Sequence, residues 1–184
     1  MFIARHEVGG EGRVIGVDMT PDMITRARAN ARNLGFDNVE FRLGEIEHLP
    51  AESGRIDIVI SNCVLNLLPD KAPAFVEMFR VLRPGGRFCV SDIVATGRLP
   101  EGVRDAAELY VGCVAGALPE QEYVGLIKAA GFNGVRNAKE QSIALPDEAL
   151  SPHMSGEEIA AFRASGVELK SVTVLATKPL PMDA

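Results

Sequence analysis

The stretch RVIGVDMTPDMITRARANARNLG, residues 13–35, decides the fold because a short β-branched run is followed at once by a helical pattern. Thr20 is a typical N-cap residue, Pro21 suits the first helical position, and Gly35 suits the residue just past a helix end. The apolar positions expected to form the buried stripe of this helix are Met23, Ala27 and Leu34. A strand that leads directly into a helix is the repeating unit of a parallel α/β sheet.

The same alternation of strand and helix extends through the rest of the chain. Further strands are predicted at residues 39–44, 56–61, 87–94, 142–145 and 171–179, and further helices within residues 72–86, 103–118, 119–132 and 155–166. The run IDIVIS at 56–61 is nearly all apolar, as is typical of a central strand that is buried on both faces. The predicted fold class is therefore α/β, with a doubly wound, mostly parallel, Rossmann-like sheet.

Length, composition and charge narrow the function classes. The 184 residues, 47% of them hydrophobic, suit one globular domain with a single core. Acidic residues outnumber basic ones by 25 to 19, and no run of Lys and Arg is interleaved with aromatic residues, so neither nucleic acid nor a membrane is expected as a partner. No segment reaches the roughly 18 apolar residues of a membrane span, and MFIARHEVGG lacks the pattern of a signal peptide. We expect a cytoplasmic protein that acts on a small molecule.

In open α/β sheets ligands bind beyond the carboxyl ends of the strands, so the residues just after each strand are site candidates. Asp18 ends the first strand, and since Thr20 is predicted to cap the helix, the Asp18 carboxylate could accept the hydroxyls of a ribose. A solvated turn aspartate explains Asp18 about equally well. After the second strand, Glu45 could accept from an adenine amino group and the Ile46 amide could meet a ring nitrogen. Asp92 is expected to be structural or to line the pocket wall.

The three cysteines are widely spaced, and without CxxC or HExxH spacing they predict neither a disulfide framework nor a zinc site. Cys89 lies inside a predicted strand and is expected in the core. Cys63 follows the predicted central strand, next to Asn62, where a packing role and a functional role of the thiol are equally supported. Cys113 lies in a stretch rich in glycine and alanine, which taken alone favours helix packing.

An ordered set of segments resembles the arsenite S-adenosylmethionine methyltransferases, a class I methyltransferase family. The segments are GVDMTPDM (16–23), NVEFRLGEIEHLP (38–50), DIVISNCVLNLLPDK (57–71), FRVLRPGGRFCVSDIVAT (79–96) and ELYVGCVAGALP (108–119). LRPGG and Asp18 are shared with class I methyltransferases in general, whereas the segments around Cys63 and Cys113 are more specific to the arsenic branch. The match extends over essentially the whole chain.

The resemblance implies a reaction and a set of site residues. In this family the cysteines at these two positions bind trivalent arsenic, which implies that role for Cys63 and Cys113. The residues implied to bind S-adenosylmethionine are Asp18 at the ribose, Met19 on the adenine face, Glu45 and Ile46 at the adenine edge, and Asn62 near the methionine moiety. The implied activity is methyl transfer from S-adenosylmethionine to thiolate-bound arsenic(III). Arsenic is a soft centre that prefers thiolates, and its lone pair carries no proton, so the transfer needs no general base.

Two alternatives stay open beside this enzyme function. One is a class I methyltransferase for another small acceptor, such as a quinone or a thiol. The other is a non-catalytic remnant that binds arsenic(III) through two thiols and lacks a usable cofactor site. Loss of activity on replacing Cys63 separates the arsenic enzyme from the first alternative, and titration with S-adenosylmethionine separates it from the second.

The resemblance also implies a single domain over residues 1–184 that is truncated at its N-terminus. Family members have a first strand and a glycine-rich GxGxG loop before GRVIGVDM, whereas here only MFIARHEVGG, similar to the end of the first helix, precedes it. The family's sheet order, 3-2-1-4-5-7-6, places the absent strand between RVIGV and DIVIS. We therefore expect these two strands either to pair directly or to leave open edges that invite self-association.

Overall fold

The structure, a computed structural model, describes residues 2–111, 114 and 116–181. It divides the chain into two compact units, Met1–Glu52 and Ser53–Ala184. Each unit is described below by itself. The expectation of one domain over residues 1–184 stays a prediction.

The helices and strands alternate along both units. The first unit contains α1 (Phe2–Val8), β1 (Val14–Asp18), α2 (Pro21–Asn33) and β2 (Val39–Leu43). The second contains β3 (Ile56–Asn62), a short 3-10 helix (Leu65–Leu67), α3 (Ala72–Val81), β4 (Leu82–Ala95), α4 (Glu101–Val111), α5 (Glu120–Ala129), β5 (Asn133–Ile143), α6 (Asp147–Leu150), α7 (Gly156–Ser165) and β6 (Leu169–Thr177). Among the described residues, no helix combines the length and apolar character needed to cross a membrane.

In the first unit, β1 and β2 form a parallel pair, and α2 packs against both strands. Thr20 occupies the N-cap position and Gly35 has a φ of 64°, the left-handed conformation that ends many helices, as the sequence predicts. The buried stripe differs from the prediction. Ile24 and Ala31 are buried, whereas Met23 and Leu34 are 49% and 55% exposed. The predicted Ala27 is half-buried and packs against this pair, so the observed stripe is Ile24, Ala27 and Ala31.

The second unit contains a four-stranded sheet in the order β3-β4-β6-β5. β3 and β4 are parallel, and β6 runs antiparallel to both β4 and β5. Only β6 is therefore reversed, which agrees with a mostly parallel sheet. Within each unit the strand order agrees with the corresponding part of the predicted order 3-2-1-4-5-7-6. The predicted Rossmann-like α/β fold class is confirmed.

The environment of β3 differs from the prediction of a central strand buried on both faces. β3 is the terminal strand of its sheet, and Ile58 and Ile60 are 38% and 62% exposed. Among the described residues β3 pairs only with β4. Its other edge therefore has no neighbouring strand, in the described part of the chain, to bond its backbone or to cover its apolar side chains. Direct pairing of β1 with β3 is likewise wrong, because the two strands belong to different sheets.

The two faces of β4 are covered by different helices, as in a doubly wound fold. On one face, the Phe88 ring packs edge-on against Phe132 at 4.8 Å and lies 6.1 Å from Phe75 of α3. On the other face, Ile93 and Ala95 belong to a cluster with buried residues of α4, α6 and α7. Side chains alternate between the faces along a strand, so these two clusters form separate cores on either side of the sheet.

Two further expectations for β4 need correction. The preceding helix ends at Val81 rather than at the Pro-Gly-Gly sequence, and β4 begins at Leu82, so Pro84 lies inside the strand. Cys89 is half-buried rather than fully buried in the core. It shares the face of Ile93, and the helices that cover this face pack at the carboxyl end of β4, where Ile93 and Ala95 lie.

Candidate active site at the carboxyl ends of the strands

In the first unit, the ends of β1 and β2 lie side by side. The Gly44 amide donates a hydrogen bond to the Asp18 carbonyl oxygen at 3.1 Å, just past the last paired residues of the two strands. The half-buried Asp18 also accepts a hydrogen bond at Oδ1 from the Thr20 amide at 2.8 Å. The premise that Thr20 makes Asp18 unnecessary for the helix start is wrong, since the Thr20 side chain makes no cap hydrogen bond. One Asp18 oxygen therefore holds the turn.

The other residues predicted to bind the cofactor's adenosine part lie beside Asp18. Glu45 is exposed in a tight turn in which the His48 amide donates to the Glu45 carbonyl oxygen at 3.2 Å. Ile46 is half-buried, and Met19 is 67% exposed. The structure thus brings two carboxylates and an exposed apolar side chain to one edge of the first unit. These groups fit the adenosine part of S-adenosylmethionine. The carboxylates can accept hydrogen bonds from hydroxyl and amino groups, and the Met19 side chain offers apolar surface to a ring.

In the second unit, the chain leaves β3 at Cys63. Asn62 is the last strand residue and lies opposite Ser91, and the Cys63 amide donates to the Ser91 carbonyl oxygen at 2.8 Å. Cys63 has a φ of 57°, and among the described residues it is the only non-glycine residue with a positive φ. This conformation costs about 1–3 kcal/mol for a residue with a β-carbon and is often associated with functional sites. As predicted, the half-buried Cys63 lies just past the strand and outside the core.

Cys113 lies outside the described residues, so the separation of the two sulfur atoms stays a prediction. The residues that follow it are held at the end of β4. Val114 is buried, and the Ala117 amide donates to its carbonyl oxygen at 2.8 Å. The Ala95 amide donates to the Leu118 carbonyl oxygen at 3.0 Å.

A buried polar cluster, made of Asn66, Lys71, Asp92 and Tyr123, lies near these segments. The Tyr123 hydroxyl donates to Asp92 Oδ2 at 2.7 Å, and Asn66 Nδ2 donates to the Ile93 carbonyl oxygen at 2.9 Å. Lys71 Nζ donates to the Leu68 carbonyl oxygen at 3.3 Å. Asn66, Lys71 and Asp92 are 3%, 3% and 1% exposed, so their polar atoms are almost fully removed from water.

Burial sets the protonation behaviour of this cluster. It raises the pKa of Asp92 to about 6, although the hydrogen bond from Tyr123 and the charge of Lys71 act in the opposite direction. Burial also raises the pKa of Tyr123, and the Asp92 charge adds to that effect. The pKa of Lys71 is lowered by burial, against the attraction of Asp92, Asp70 and Glu122. Burial therefore disfavours the charged forms of both Asp92 and Lys71.

Sequence reasoning missed this cluster, apart from the expectation that Asp92 is structural or lines the pocket. One signal was present in β4, where Phe88, Val90 and Asp92 alternate and so share an inward face. A carboxylate at the third of these positions needs a buried partner. No local pattern indicates that the partner is Tyr123 of α5, because that contact joins residues 31 positions apart.

Comparison with known proteins agrees with this geometry. A family model described as a methyltransferase domain matches residues 1–131. An arsenite methyltransferase of Halobacterium salinarum is 44% identical over 178 residues, which cover 97% of this chain and 43% of that protein. An arsenite methyltransferase of Aquipseudomonas alcaligenes is 38% identical over 157 residues, which cover 82% of this chain and 45% of that protein.

A solved structure extends the similarity to three dimensions. It is that of an arsenic(III) S-adenosylmethionine methyltransferase from Chlamydomonas reinhardtii, with a TM-score of 0.80 and 35% identity over 100% of this chain and 60% of that chain. This chain spans less than half the length of the two curated relatives described above. The chain therefore belongs to the methyltransferase-domain family, and its similarity to arsenite methyltransferases confirms the resemblance found in the sequence.

Proposed function

We propose that this chain forms the methyl-transfer domain of an arsenite methyltransferase that uses S-adenosylmethionine as donor. The observation that carries the proposal is the position of Cys63, immediately past β3 in a left-handed conformation that a packing residue has no reason to adopt. Its substrate is a small molecule, arsenite or a thiol conjugate of arsenite. The similarity to arsenite methyltransferases supports the same reaction.

Cys63 and Cys113 are proposed as the two protein thiolates that hold trivalent arsenic. Thiolate is the ligand type that a soft centre prefers over oxygen or imidazole. A third thiolate would come from solvent, for example from glutathione. Val64 and Leu67, which follow Cys63 in the sequence, are 41% and 60% exposed, so this segment carries apolar surface. Apolar surroundings help to exclude water from a methyl transfer in which the positive charge on sulfur is dispersed towards arsenic.

The proposed work of the protein in the reaction is alignment. S-adenosylmethionine, when bound, supplies a methyl group on a positively charged sulfur. The arsenic lone pair attacks without releasing a proton, so the chain needs to hold the acceptor rather than to supply a base. Correct placement of two reactants can account for about 7–11 kcal/mol of a reaction barrier.

The proposed cofactor residues are Asp18, Met19, Glu45, Ile46 and Asn62. The Thr20 amide donates to Asp18 Oδ1, and we propose that Oδ2 accepts from the ribose hydroxyls. Glu45 follows the neighbouring strand and is exposed, as an acceptor for an adenine amino group must be. Asn62 ends β3 in the second unit and is also exposed.

Arsenite binding to residues 1–184 tests the role of Cys63. Bound arsenic per protein is measured after gel filtration for the wild type, Cys63→Ser and the matched control Cys89→Ser, whose thiol is half-buried within β4. We expect Cys63→Ser to lose at least tenfold in affinity, because one sulfur ligand is removed, and Cys89→Ser to bind as the wild type. Equal binding by all three proteins would contradict a ligand role for Cys63.

Calorimetric titration with S-adenosylmethionine tests the cofactor site. Asp18→Asn keeps an oxygen for the Thr20 amide but removes the negative charge, so cofactor affinity should fall while α2 remains intact. Asp37→Asn, at an exposed position of the same unit, is the matched control. Arsenite binding by the wild type without saturable cofactor binding would favour a non-catalytic arsenic-binding protein instead.

We also propose self-association through the open edge of β3. Ile58 and Ile60 of this strand are exposed, and an unpaired apolar strand edge is a template for pairing with another chain. Sedimentation velocity over a range of concentrations tests this, and a monomer at every concentration would contradict it.

A further inference from the structure

Two residues that each follow a cysteine by three positions lie in contact. Asn66 follows Cys63 by three residues, and Gly116 follows Cys113 by three residues. A β-carbon built on Gly116 would lie 2.1 Å from the backbone oxygen of Asn66 and 2.9 Å from its carbonyl carbon. Because real β-carbons essentially never approach so closely, only glycine allows the two backbones this contact.

Both segments are attached to the same end of β4. Asn66 Nδ2 donates to the Ile93 carbonyl oxygen at 2.9 Å, which ties the segment after Cys63 to the strand. Two residues further along β4, the Ala95 amide donates to the Leu118 carbonyl oxygen at 3.0 Å, which ties the segment after Cys113. A single strand thus sets the distance between the two segments, and the contact of Gly116 with Asn66 closes it.

The side chains around this contact are polar, although apolar side chains would cost less free energy to bury there. Lys71 Nζ lies 3.1 Å from the β-carbon position of Gly116 and donates to the Leu68 carbonyl oxygen. Asn66 Oδ1 and Asp92 Oδ1 are buried and have no hydrogen-bond partner among the residues that the structure describes. Buried polar groups are costly unless they are paired, and apolar residues of similar size often give equal or greater stability. Stability alone therefore does not account for this set of residues.

We propose that Asn66 is a positioning residue, which holds the Cys63 segment against Gly116 and so brings the two thiols to the separation that one arsenic atom requires. The proposal rests on the proposed function, since it assumes that Cys63 and Cys113 share a ligand. Asn66 acts through the backbone and does not touch the substrate. Lys71 lies beside Gly116 on the interior side of this contact.

The test measures the proximity of the thiols separately from arsenite binding. A Cys89→Ser background leaves Cys63 and Cys113 as the two remaining thiols. Dibromobimane fluoresces strongly only after both of its bromomethyl groups have alkylated thiols with loss of bromide, so its fluorescence reports cross-linking. Monobromobimane reacts with each thiol alone and reports accessibility. Arsenite affinity and the thermal midpoint of unfolding are measured on the same proteins.

Gly116→Ala places a methyl group against the Asn66 carbonyl and should force the segments apart. We expect its cross-linking rate and its arsenite affinity each to fall at least tenfold, with monobromobimane reactivity unchanged. Gly125→Ala is the matched control, because a β-carbon at Gly125 meets no atom within 4 Å. Asn66→Ala removes the hydrogen bond to Ile93 and should lower the cross-linking rate and the arsenite affinity about threefold or more. This variant tests the positioning role if Gly116→Ala does not fold.

The possible failures are distinguishable. Unchanged cross-linking in a folded Gly116→Ala or Asn66→Ala protein would overturn the positioning role, as would a parent protein whose thiols do not cross-link at all. Loss of folding in both variants would assign Asn66 a purely structural role and also overturn the proposal. A parent protein that cross-links readily but does not bind arsenite would instead contradict the proposed function, while the variants would still report on positioning.

Discussion

Replacing Asp92 with asparagine tests whether burial raises the pKa of this carboxyl group in the folded protein. Asp92 is 1% exposed, and burial raises its pKa from 3.8 to about 6. The folded protein therefore binds this proton more tightly than the unfolded chain does. As a result, the free energy of unfolding decreases as the pH rises from about 4 to about 6 and changes no further above that range. Asparagine has no such proton and still offers an oxygen to the Tyr123 hydroxyl.

The size of the effect follows from the two pKa values. Ionising Asp92 in both states costs the fold about 3 kcal/mol, because each pKa unit corresponds to about 1.4 kcal/mol. At about pH 4.5 the unfolded carboxyl group is already mostly ionised, so about 1 kcal/mol of this cost is present there. Between about pH 4.5 and about pH 7.5 the wild type should therefore lose about 2 kcal/mol of unfolding free energy more than Asp92→Asn does.

Urea unfolding followed by far-ultraviolet circular dichroism at the two pH values measures this difference. Asp105→Asn, which removes an exposed carboxylate of the second unit, is the control and should follow the pH dependence of the wild type. The comparison of the wild type with Asp92→Asn cancels the other titrating groups, which these two proteins share. If the wild type and Asp92→Asn lose the same free energy over this range, the carboxyl group is not desolvated as the structure indicates and the reasoning fails.

Other substitutions test the core, a helix start and the open strand edge. Phe88→Ala removes a ring that packs against two other aromatic rings and should cost about 3–5 kcal/mol in urea unfolding. A loss under about 1 kcal/mol would contradict its central place in the core. Ser155→Ala removes the capping box with Glu158 and should cost about 1 kcal/mol, whereas no loss would show that α7 does not depend on its cap. Ile60→Lys adds charge to an exposed edge position and should reduce self-association in sedimentation velocity without lowering the unfolding midpoint, and unchanged association would exclude the β3 edge as the contact.

Elements with strong local signals were predictable from the sequence. The start of α2 follows from Pro21 at the first helical position and its end from the left-handed conformation of Gly35, and both act within one turn. The strand β5 shows the opposite case, because it was expected only near residues 142–145 but begins at Asn133. Its first residues are mostly polar and exposed at the sheet edge, so their pairing with β6 leaves no apolar alternation in the sequence.

The candidate site was predictable as a set of positions but not as a set of contacts. Ligands of α/β sheets bind past the carboxyl ends of strands, so Asp18 at the end of β1 and Cys63 just after β3 could each be chosen as a candidate within its own unit. The hydrogen bond from Thr20 to Asp18 depends on side-chain conformation, and the contact of Asn66 with Gly116 depends on tertiary packing. Neither leaves a periodic signal in the sequence.

The place of β6 has a consequence for how the second unit is made in the cell. This strand follows all the other described elements of the second unit, yet it lies between β4 and β5 in the sheet. During synthesis, β4 and β5 leave the ribosome well before the strand that joins them, and they cannot complete their ladder until residue 177 has emerged. At the usual elongation rate of about 5–20 residues per second, β5 waits for at least a second or so with an unpaired edge. This interval is the time at which a nascent chain would most need a chaperone, and a stop codon before Leu169 would remove the middle of the sheet rather than its end.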